Sequence, residues 1–147
     1  MSSASIKKII SCNKTNLVHM VLDIEQYPQF VPWCLDGKIY KKNETEDFIE
    51  IEADLKVGKR FINETYSSLV LYSKKKNLIT VTNISGPLKY LKNEWKFKEI
   101  NNKTELDFNI DFELKSNFLN IIMKNYFNFG LNKIADAFEQ RAIKLYK

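Results

Sequence analysis

Few residues in this chain could do acid–base or nucleophilic chemistry, and they are widely separated. His19 is the only histidine, and Cys12 and Cys34 lack the paired spacing of a zinc site or a disulfide framework. Helical spacing places His19 on the solvent side of a predicted helix, which is a poor setting for a general base or a metal ligand. We therefore expect no metal site and two reduced, structural cysteines.

Carboxylates and glycine-rich loops give no stronger signal for catalysis. Asp54 and Glu64 are candidates for an acid or a base, but they occur on strand patterns rich in charge, where carboxylates are usually solvated. The segments "VGKR" and "SGPLK" are too short to form a phosphate-binding loop. A single histidine also argues against a nucleophile activated by a base. The residues favour a protein that is not an enzyme and has no catalytic cofactor.

Lysines dominate the charge of the chain. The net charge is +5, and 21 lysines accompany only two arginines. This balance suits an anionic partner, either RNA phosphate or lipid headgroups, but AT-rich codon usage would give the same lysine surface with no partner. The run Lys74, Lys75 and Lys76 lies between two strand patterns, so we interpret it first as a hairpin turn.

Length and composition predict one folded domain over residues 1–147. Hydrophobic residues make up 44% of the chain, with only four glycines and three prolines, which is typical of an ordinary globular domain. No segment approaches the run of apolar residues that a membrane span needs, and the start of the sequence lacks the apolar stretch of a secretory signal. We expect a cytoplasmic protein.

Alternating hydrophobicity predicts a sheet. In residues 46–57 and 104–114, apolar residues alternate with mostly charged ones, which is the period of a half-buried strand. Other strands are predicted from β-branched and aromatic content at 5–11, 36–43, 60–72, 77–84 and 93–99. Turn sequences separate these segments at the short intervals of antiparallel hairpins, at 36–38, 57–59, 85–87 and 101–103.

Helical patterns lie near the start and at the end of the chain. Asn13 or Thr15 can cap a helix that runs to about Asp23. Residues 117–146 form a long amphipathic helix, whose main apolar stripe holds Phe127, Leu131, Ile134, Phe138, Ala142 and Leu145. The order of elements predicts an α+β fold, with an antiparallel sheet of about seven strands and the long helix packed across its concave face.

The first half of the long helix carries a second apolar set, mainly opposite the stripe. It comprises Phe118, Leu119, Ile122, Met123, Tyr126 and Phe129. Gly130 lies where the two faces change. Either the helix bends there and buries both sets, or the first half offers its apolar side chains to a ligand, a membrane or another protein.

The segment "YPQFVPWC", residues 27–34, concentrates apolar side chains where neither a long helix nor a regular strand can form. Pro28 and Pro32 reduce the entropy lost on ordering it, so the segment can hold Tyr27, Phe30 and Trp33 in set directions. It is either a plug that completes the core or the wall of a cavity between sheet and helix.

Four segments carry a family resemblance that covers nearly the whole chain: "YPQFVPWC", "GPLKYLKNEWKF" (86–97), "LDFNIDFELKS" (106–116) and "ADAFEQRAIKLY" (135–146). Together they resemble the START-like coenzyme Q-binding family of the polyketide cyclase and dehydrase superfamily, which includes the ribosome association toxin RatA. Gly86, Pro87, Trp95 and Phe97 match the family pattern by position.

The resemblance implies a helix-grip fold, START-like and Bet v 1-like, with two short helices after the first strand and a cavity for ubiquinone. It implies a non-enzymatic protein that supports respiratory electron transfer from the cytoplasm or from the periphery of the inner membrane. A polyprenyl quinone needs aromatic and aliphatic walls with one or two polar groups. Our candidates for the cavity and its mouth are Tyr27, Phe30, Val31, Trp33, Trp95, Phe118, Ile122, Tyr126, Leu131 and Phe138.

An alternative function is also implied by the resemblance. A RatA-like protein would bind the large ribosomal subunit and block subunit association and translation. Its candidate contacts with RNA, or with an anionic membrane, are Lys74, Lys75, Lys76, Lys89 and Lys92, with Lys96 nearby in sequence. A lipid cyclase or hydrolase ranks third.

Overall fold

The protein is described by a computed structural model that covers residues 2–59 and 62–146, apart from the side chains of residues 59, 62 and 122–126. A seven-stranded sheet has the order β1-β7-β6-β5-β4-β3-β2, and every neighbouring pair of strands is antiparallel. The elements along the chain are β1 (Ser2–Ile10), α1 (Lys14–Leu22), a 3₁₀ helix (Ile24–Gln29), β2 (Cys34–Glu44), β3 (Phe48–Lys59), β4 (Ile62–Ser73), β5 (Leu78–Ser85), β6 (Leu88–Ile100), β7 (Lys103–Leu114) and α2 (Asn117–Tyr146). The predicted α+β helix-grip architecture, with two short helices after the first strand, is confirmed.

Turn chemistry explains two of the hairpins. Asn101 and Asn102 both have positive φ, at 48° and 67°, as a two-residue turn between β6 and β7 requires. Gly86, between β5 and β6, has φ 122°, a value that a side chain would strain. The turns predicted at 85–87 and 101–103, and the turn at Lys74 to Lys76, are confirmed.

Two other predicted turns were wrong. Residues 36–38 lie inside β2, and residues 57–59 form the end of β3. Gly37 serves close packing, because a Cβ at this position would lie only 2.4 Å from the carbonyl oxygen of Ile24 in the 3₁₀ helix. A glycine required by a neighbouring backbone cannot be distinguished from a turn glycine when the tertiary contact is unknown.

The sheet buries its inner face as the alternation predicted. Ile51 and Ala53 of β3, and Leu106, Phe112 and Leu114 of β7, are buried. These side chains belong to two apolar clusters. The larger contains Trp95, Phe97 and Phe138, and the smaller is built on Leu88, Phe112 and Leu114. The core therefore has two parts, one toward each end of the sheet's inner face.

The first helix begins at a side-chain cap. Asn13 Oδ1 accepts a hydrogen bond from the backbone N–H of Asn16 at 2.8 Å, which satisfies one of the free amides of α1. The side chains of Leu17, Met20 and Val21 are buried. His19 is exposed, so the predicted orientation of the helix is confirmed.

The second half of α2 is fixed to the sheet. Phe138 and Ala142 join the larger cluster, and Lys8 Nζ of β1 lies 2.7 Å from Asp136 Oδ1 and 3.3 Å from Glu139 Oε1. The hydrogen bond to Asp136 raises the pKa of Lys8. Leu145, which was assigned to the apolar stripe, is 46% exposed, so the buried stripe ends before it.

The first half of α2 presents apolar side chains to solvent. The helix is continuous through Gly130, yet Phe118 is 71% exposed, Ile121 68% and Phe129 62%. Of the two alternatives for this half, ordinary burial by bending at Gly130 does not occur for Phe118 and Phe129. These side chains are available to something outside the chain.

Thr104 provides a test of how the start of β7 is held. Its side chain is fully buried, and its Oγ1 donates a 2.7 Å hydrogen bond to the carbonyl oxygen of Cys12, in the segment between β1 and α1. Thr104→Val removes the donor and leaves that carbonyl unsatisfied, so we expect the free energy of unfolding to fall by about 1–3 kcal/mol in urea denaturation. Thr82→Val, on the exposed part of β5, is the control and should change it by less than about 0.5 kcal/mol. Equal effects of the two changes would contradict this account.

Candidate functional site

The segment 27–34 forms one wall of a cavity that is partly open to solvent. Tyr27 and Pro28 lie in the 3₁₀ helix, and Cys34 begins β2. Between them Trp33 adopts φ 64°, which costs a non-glycine residue about 1–2 kcal/mol. Its carbonyl oxygen accepts a 3.0 Å hydrogen bond from the backbone N–H of Gly58, so the end of β3 holds Trp33 in this conformation.

The indole ring of Trp33 lies against α2 at Gly130. A methyl group placed on Gly130 would be 3.6 Å from Cζ3 of Trp33, which is ordinary van der Waals contact. The glycine thus gives the indole a flat surface of helix backbone. Because Trp33 lines the cavity and is also partly exposed, it lies at the boundary between the cavity and solvent.

The cavity has a volume of about 390 Å³ and lies between the sheet, the segment 27–34 and α2. Most of the side chains around it are aromatic or aliphatic, and the lining joins residues of both apolar clusters. The residues are Tyr27, Val31, Pro32, Trp33, Cys34, Leu55, Val57, Asn93, Trp95, Phe108, Ile110, Phe127, Gly130, Leu131, Ile134 and Phe138.

A smaller cavity of about 110 Å³ adjoins the first. The two share Tyr27, Leu55, Asn93 and Trp95, and the smaller one extends deeper below the 3₁₀ helix, to Ile79 of β5. Together the two cavities extend from the partly exposed Trp33 to the fully buried Ile79, and the amide of Asn93 lies in the wall that they share.

Edge-to-face aromatic contacts hold the walls together. The ring of Phe138 meets Tyr27 at 5.4 Å, Phe30 at 5.1 Å and Trp95 at 5.2 Å between centroids. Trp95 also meets Phe108 at 4.8 Å. Such pairs contribute about 0.5–1.5 kcal/mol each beyond the area that they bury. One aromatic residue of α2 thus connects the helix to the segment 27–34 and to the sheet.

Polar groups in the wall are few, and each makes a hydrogen bond to the protein. The hydroxyl of Tyr27 donates to the carbonyl oxygen of Val21, and burial raises the pKa of Tyr27 far above its ordinary value. The indole Nε1 of Trp95 donates to Asn93 Oδ1 at 2.7 Å. Burial also raises the pKa of the Cys34 thiol, so this sulfur is a neutral thiol at physiological pH.

The structure brings six of the ten predicted site residues to the cavity lining: Tyr27, Val31, Trp33, Trp95, Leu131 and Phe138. Phe30 lies behind the wall, against Phe138 and under Arg141, whose guanidinium is 5.2 Å from the ring. Phe118 does not reach the cavity, because it projects into solvent from the first turn of α2. The side chains of Ile122 and Tyr126 lie outside the described residues.

Several lining residues were absent from the sequence prediction. Leu55 and Val57 alternate inward along β3, and Phe108 and Ile110 along β7, so their strand periods identified the inner face but not the place of the cavity on it. Asn93 was also missed. It shares the inward period of Trp95 and Phe97, and a polar residue in that register is the signal that could have identified it.

The predicted lysine contacts do not form one patch. Lys74 Nζ lies 2.8 Å from Glu44 Oε2, and Lys75 lies 3.7 Å from Asp47 at the same end of the sheet. Lys76, Lys89 and Lys92 are exposed. Lys92 pairs in register with Asp111 across the β6–β7 ladder. Lys89 and Lys96 are seven residues apart on β6, or roughly 23 Å along an extended strand.

The candidate acids and bases lie away from the cavity. Asp54 accepts hydrogen bonds from Tyr40 and Ser67, at 2.8 and 2.5 Å, on the outer face of the sheet, and Glu64 is exposed. Within the described residues no group of three or more histidine, cysteine or acidic side chains could hold a metal ion. None of the described helices is long and apolar enough to cross a bilayer.

Comparisons with known proteins agree with this architecture. A family model for polyketide cyclase / dehydrase and lipid transport matches residues 19–139. The chain is 36% identical over 150 aligned residues to the ribosome association toxin RatA of Rickettsia prowazekii, and the alignment covers all of both proteins.

Two further similarities extend the comparison. The mitochondrial coenzyme Q-binding protein COQ10 of Dictyostelium discoideum is 32% identical over 130 residues, which cover 86% of this chain and 62% of that protein. Among solved structures, an 18 kDa protein of Caulobacter crescentus superposes with a TM-score of 0.80 and 27% identity, covering 99% of each chain.

Proposed function

Because the chain belongs to the polyketide cyclase / dehydrase and lipid transport family, we propose that it binds a ubiquinone-type polyprenyl quinone in this cavity. It does so without catalysing a reaction on it, and it supports respiratory electron transfer by shielding or delivering the quinone. The observation that carries this proposal is the apolar cavity of about 390 Å³ beneath α2.

The cavity has the size and the chemistry of a site for a hydrophobic molecule. Its volume falls in the range of about 300–1,000 Å³ that is typical of small-molecule sites. Each square ångström of apolar ligand surface removed from water contributes about 25 cal/mol, so an isoprenoid tail supplies binding energy with no specific polar contact. The similarity to the coenzyme Q-binding protein COQ10 supports a quinone as the occupant.

The lining also supports a binding role over an enzymatic one. Among the described residues that line the cavity there is no aspartate, glutamate, histidine, lysine or arginine. Proton transfer to or from a bound ligand most often uses such a group within hydrogen-bond distance, and burial keeps the thiol of Cys34, which also lines the cavity, protonated. Tyr27, the one hydroxyl on the lining, is committed to the carbonyl of Val21 and resists ionisation because it is buried.

Filling the cavity should weaken ligand binding. Val57 lies on the inner face of β3 and lines the cavity, whereas its neighbour Lys56 is exposed on the outer face. Val57→Trp should weaken binding of a short-chain ubiquinone at least about tenfold, or 1.4 kcal/mol, in calorimetric titration. Lys56→Trp, the matched control on the same strand, should leave the affinity unchanged.

The proposal also predicts what purified wild-type protein carries. Lipid extraction followed by mass spectrometry should detect a quinone or another isoprenoid, and Val57→Trp should retain less of it. If the wild-type protein neither retains nor exchanges an isoprenoid, or if both tryptophan variants bind equally well, the carrier function is wrong.

Exchange of such a ligand with a bilayer requires contact with the membrane, and the first half of α2 is suited to it. Residues 115–135 contain three lysines and no acidic residue. Phe118 and Ile121 are exposed there, and Lys133 Nζ lies 4.8 Å above the ring of Phe129. Exposed apolar side chains interspersed with lysines match the interface of an anionic bilayer. This supports a peripheral position at the inner membrane.

The combined change of Phe118→Ser and Ile121→Ser tests the membrane contact. Burying one such side chain contributes about 1.5–3 kcal/mol, so binding to vesicles containing anionic phospholipid should fall at least about tenfold. Ile9→Ser is the control, because Ile9 is 56% exposed on β1, far from α2's first turn in sequence. Unchanged vesicle binding would contradict the contact, and loss of a dimer instead would assign this surface to a second copy of the chain.

The second candidate is binding to the large ribosomal subunit. Its support is the 36% identity to the ribosome association toxin RatA over the full length of both proteins. The structure gives less support, because Lys74 and Lys75 are engaged with acidic side chains and Lys89 stands far from the β4–β5 turn. We therefore rank it after quinone binding, although one protein can do both.

Co-sedimentation with ribosomal subunits over a salt series tests this candidate. If exposed lysines bind rRNA phosphates, association should weaken as salt rises. The double change Lys89→Glu and Lys92→Glu should then make the salt dependence shallower. The negative slope of log association constant against log salt concentration should decrease in magnitude by about 0.7–0.9 for each lysine–phosphate pair removed. Lys7→Glu, on β1, is the control. Absence from the large-subunit fraction at low salt would exclude this function, and salt-independent association would exclude phosphate binding.

A further inference from the structure

We infer that Asn93 is the residue that recognises the polar head of the ligand, by donating a hydrogen bond from its side-chain amide to a carbonyl oxygen. This assignment rests on the proposed function and names the part of the cavity where the head lies. The class of ligand that follows is an uncharged molecule with an apolar tail and a carbonyl on its head group, as in a benzoquinone.

Asn93 is the amide side chain that the two cavities share. It lies on the inner face of β6, is 7% exposed, and lines both the larger and the smaller cavity. Its cross-strand neighbours on this face are Val81 of β5 and Ile110 of β7, which are both apolar. An amide in such surroundings is costly to bury unless its hydrogen-bonding groups are used.

Two groups fix the orientation of the Asn93 amide, because one can only donate and the other can only accept a hydrogen bond. Trp95 Nε1 can only donate, and it lies 2.7 Å from Asn93 Oδ1. The carbonyl oxygen of Asn109 can only accept, and it lies 2.9 Å from Nδ2. Exchanging the oxygen and nitrogen of the amide would break both hydrogen bonds. The head-recognising group is thus preorganised before a ligand arrives.

One donor of the amide remains for the ligand. A primary amide carries two N–H groups, and Asn109 accepts from one of them. Within the described part of the chain, no protein acceptor is assigned to the second. Tyr27 and Cys34, which also line the cavity, are directed to backbone carbonyls of Val21 and Asp36, so they do not compete for the head group.

The same wall discriminates against charged lipids. The described lining has no lysine or arginine that could pair with a carboxylate or a phosphate. An anion moved into this apolar site would lose its hydration without gaining a counter-ion. A fatty acid or a phospholipid head is therefore a poor occupant, whereas a neutral carbonyl needs only the one donor that Asn93 supplies.

The test compares the affinity for a ligand that has a polar head with the affinity for a ligand that has none. Asn93→Leu should bind a short-chain ubiquinone about 3- to 10-fold more weakly than the wild-type protein, as expected for the loss of one neutral hydrogen bond. Its affinity for squalene, an isoprenoid hydrocarbon with no polar head, should not fall. Asn83→Leu is the matched control, since the Asn83 amide bonds to the carbonyl of Leu88 and does not line either cavity.

A second measurement keeps the assignment testable if Asn93→Leu does not fold. In ¹⁵N-labelled wild-type protein, the side-chain amide proton signals of Asn93 should move downfield when ubiquinone is added, and not when squalene is added. Unperturbed signals in the presence of bound ubiquinone would overturn the role of Asn93, as would an Asn93→Leu protein with full quinone affinity.

The proposed quinone-binding function and the role of Asn93 would be refuted by different results. If wild-type protein binds neither ubiquinone nor squalene, the carrier function falls and the role of Asn93 falls with it. If both ligands bind the wild-type protein and Asn93→Leu weakens both equally, the cavity is a lipid site but Asn93 is only part of its framework.

Discussion

Phe138 is the contact on which the arrangement of this interior depends. Its ring meets Tyr27, Phe30 and Trp95 edge to face, with centroids between 5.1 and 5.4 Å apart. Rings that meet edge to face have their centroids farther apart than rings that stack face to face. These contacts attach the second half of the helix to the sheet, and beside them the two apolar clusters remain separate around the cavity. The aromatic contacts of Phe138 therefore both pack the helix on the sheet and leave the cavity open beside it.

The two halves of α2 then have different surroundings. The second half is anchored by Phe138, by Ala142 and by the ion pairs of Lys8. The first half is attached at its start, where the side-chain amide of Asn120 makes hydrogen bonds of 2.9 and 2.8 Å to the backbone N–H and C=O of Leu114. Between these anchors the helix bridges the cavity and exposes Phe129. The proposed quinone binding would use this combination, since the ligand must be enclosed and yet reach solvent or a bilayer.

The sequence predicted the elements well and the cavity only in part. Alternation along β3 and β7 identified the inner face because a strand's period is a local property of the chain. Gly37 was mistaken for a turn because its role is to admit the carbonyl of Ile24. Phe118 was assigned to the cavity because it belongs to a second apolar set on α2 that could face a ligand, but that set faces solvent at Phe118. Asn93 was overlooked although the register of β6 pointed it inward. In each case the role of the residue depends on its tertiary contacts, which the local sequence pattern does not show.

The order of strands has a further effect on how the protein is made. β1 pairs with β7, so Ile6 finds its partner Phe108 only after about a hundred intervening residues have been synthesised. Contacts of such long sequence separation form late and slowly, whereas the β6–β7 hairpin, with its Asn101–Asn102 turn, can form as soon as it emerges. Until α2 follows, the apolar inner surface of the nascent sheet is uncovered, so the chain is most exposed to other apolar molecules before its last element is made.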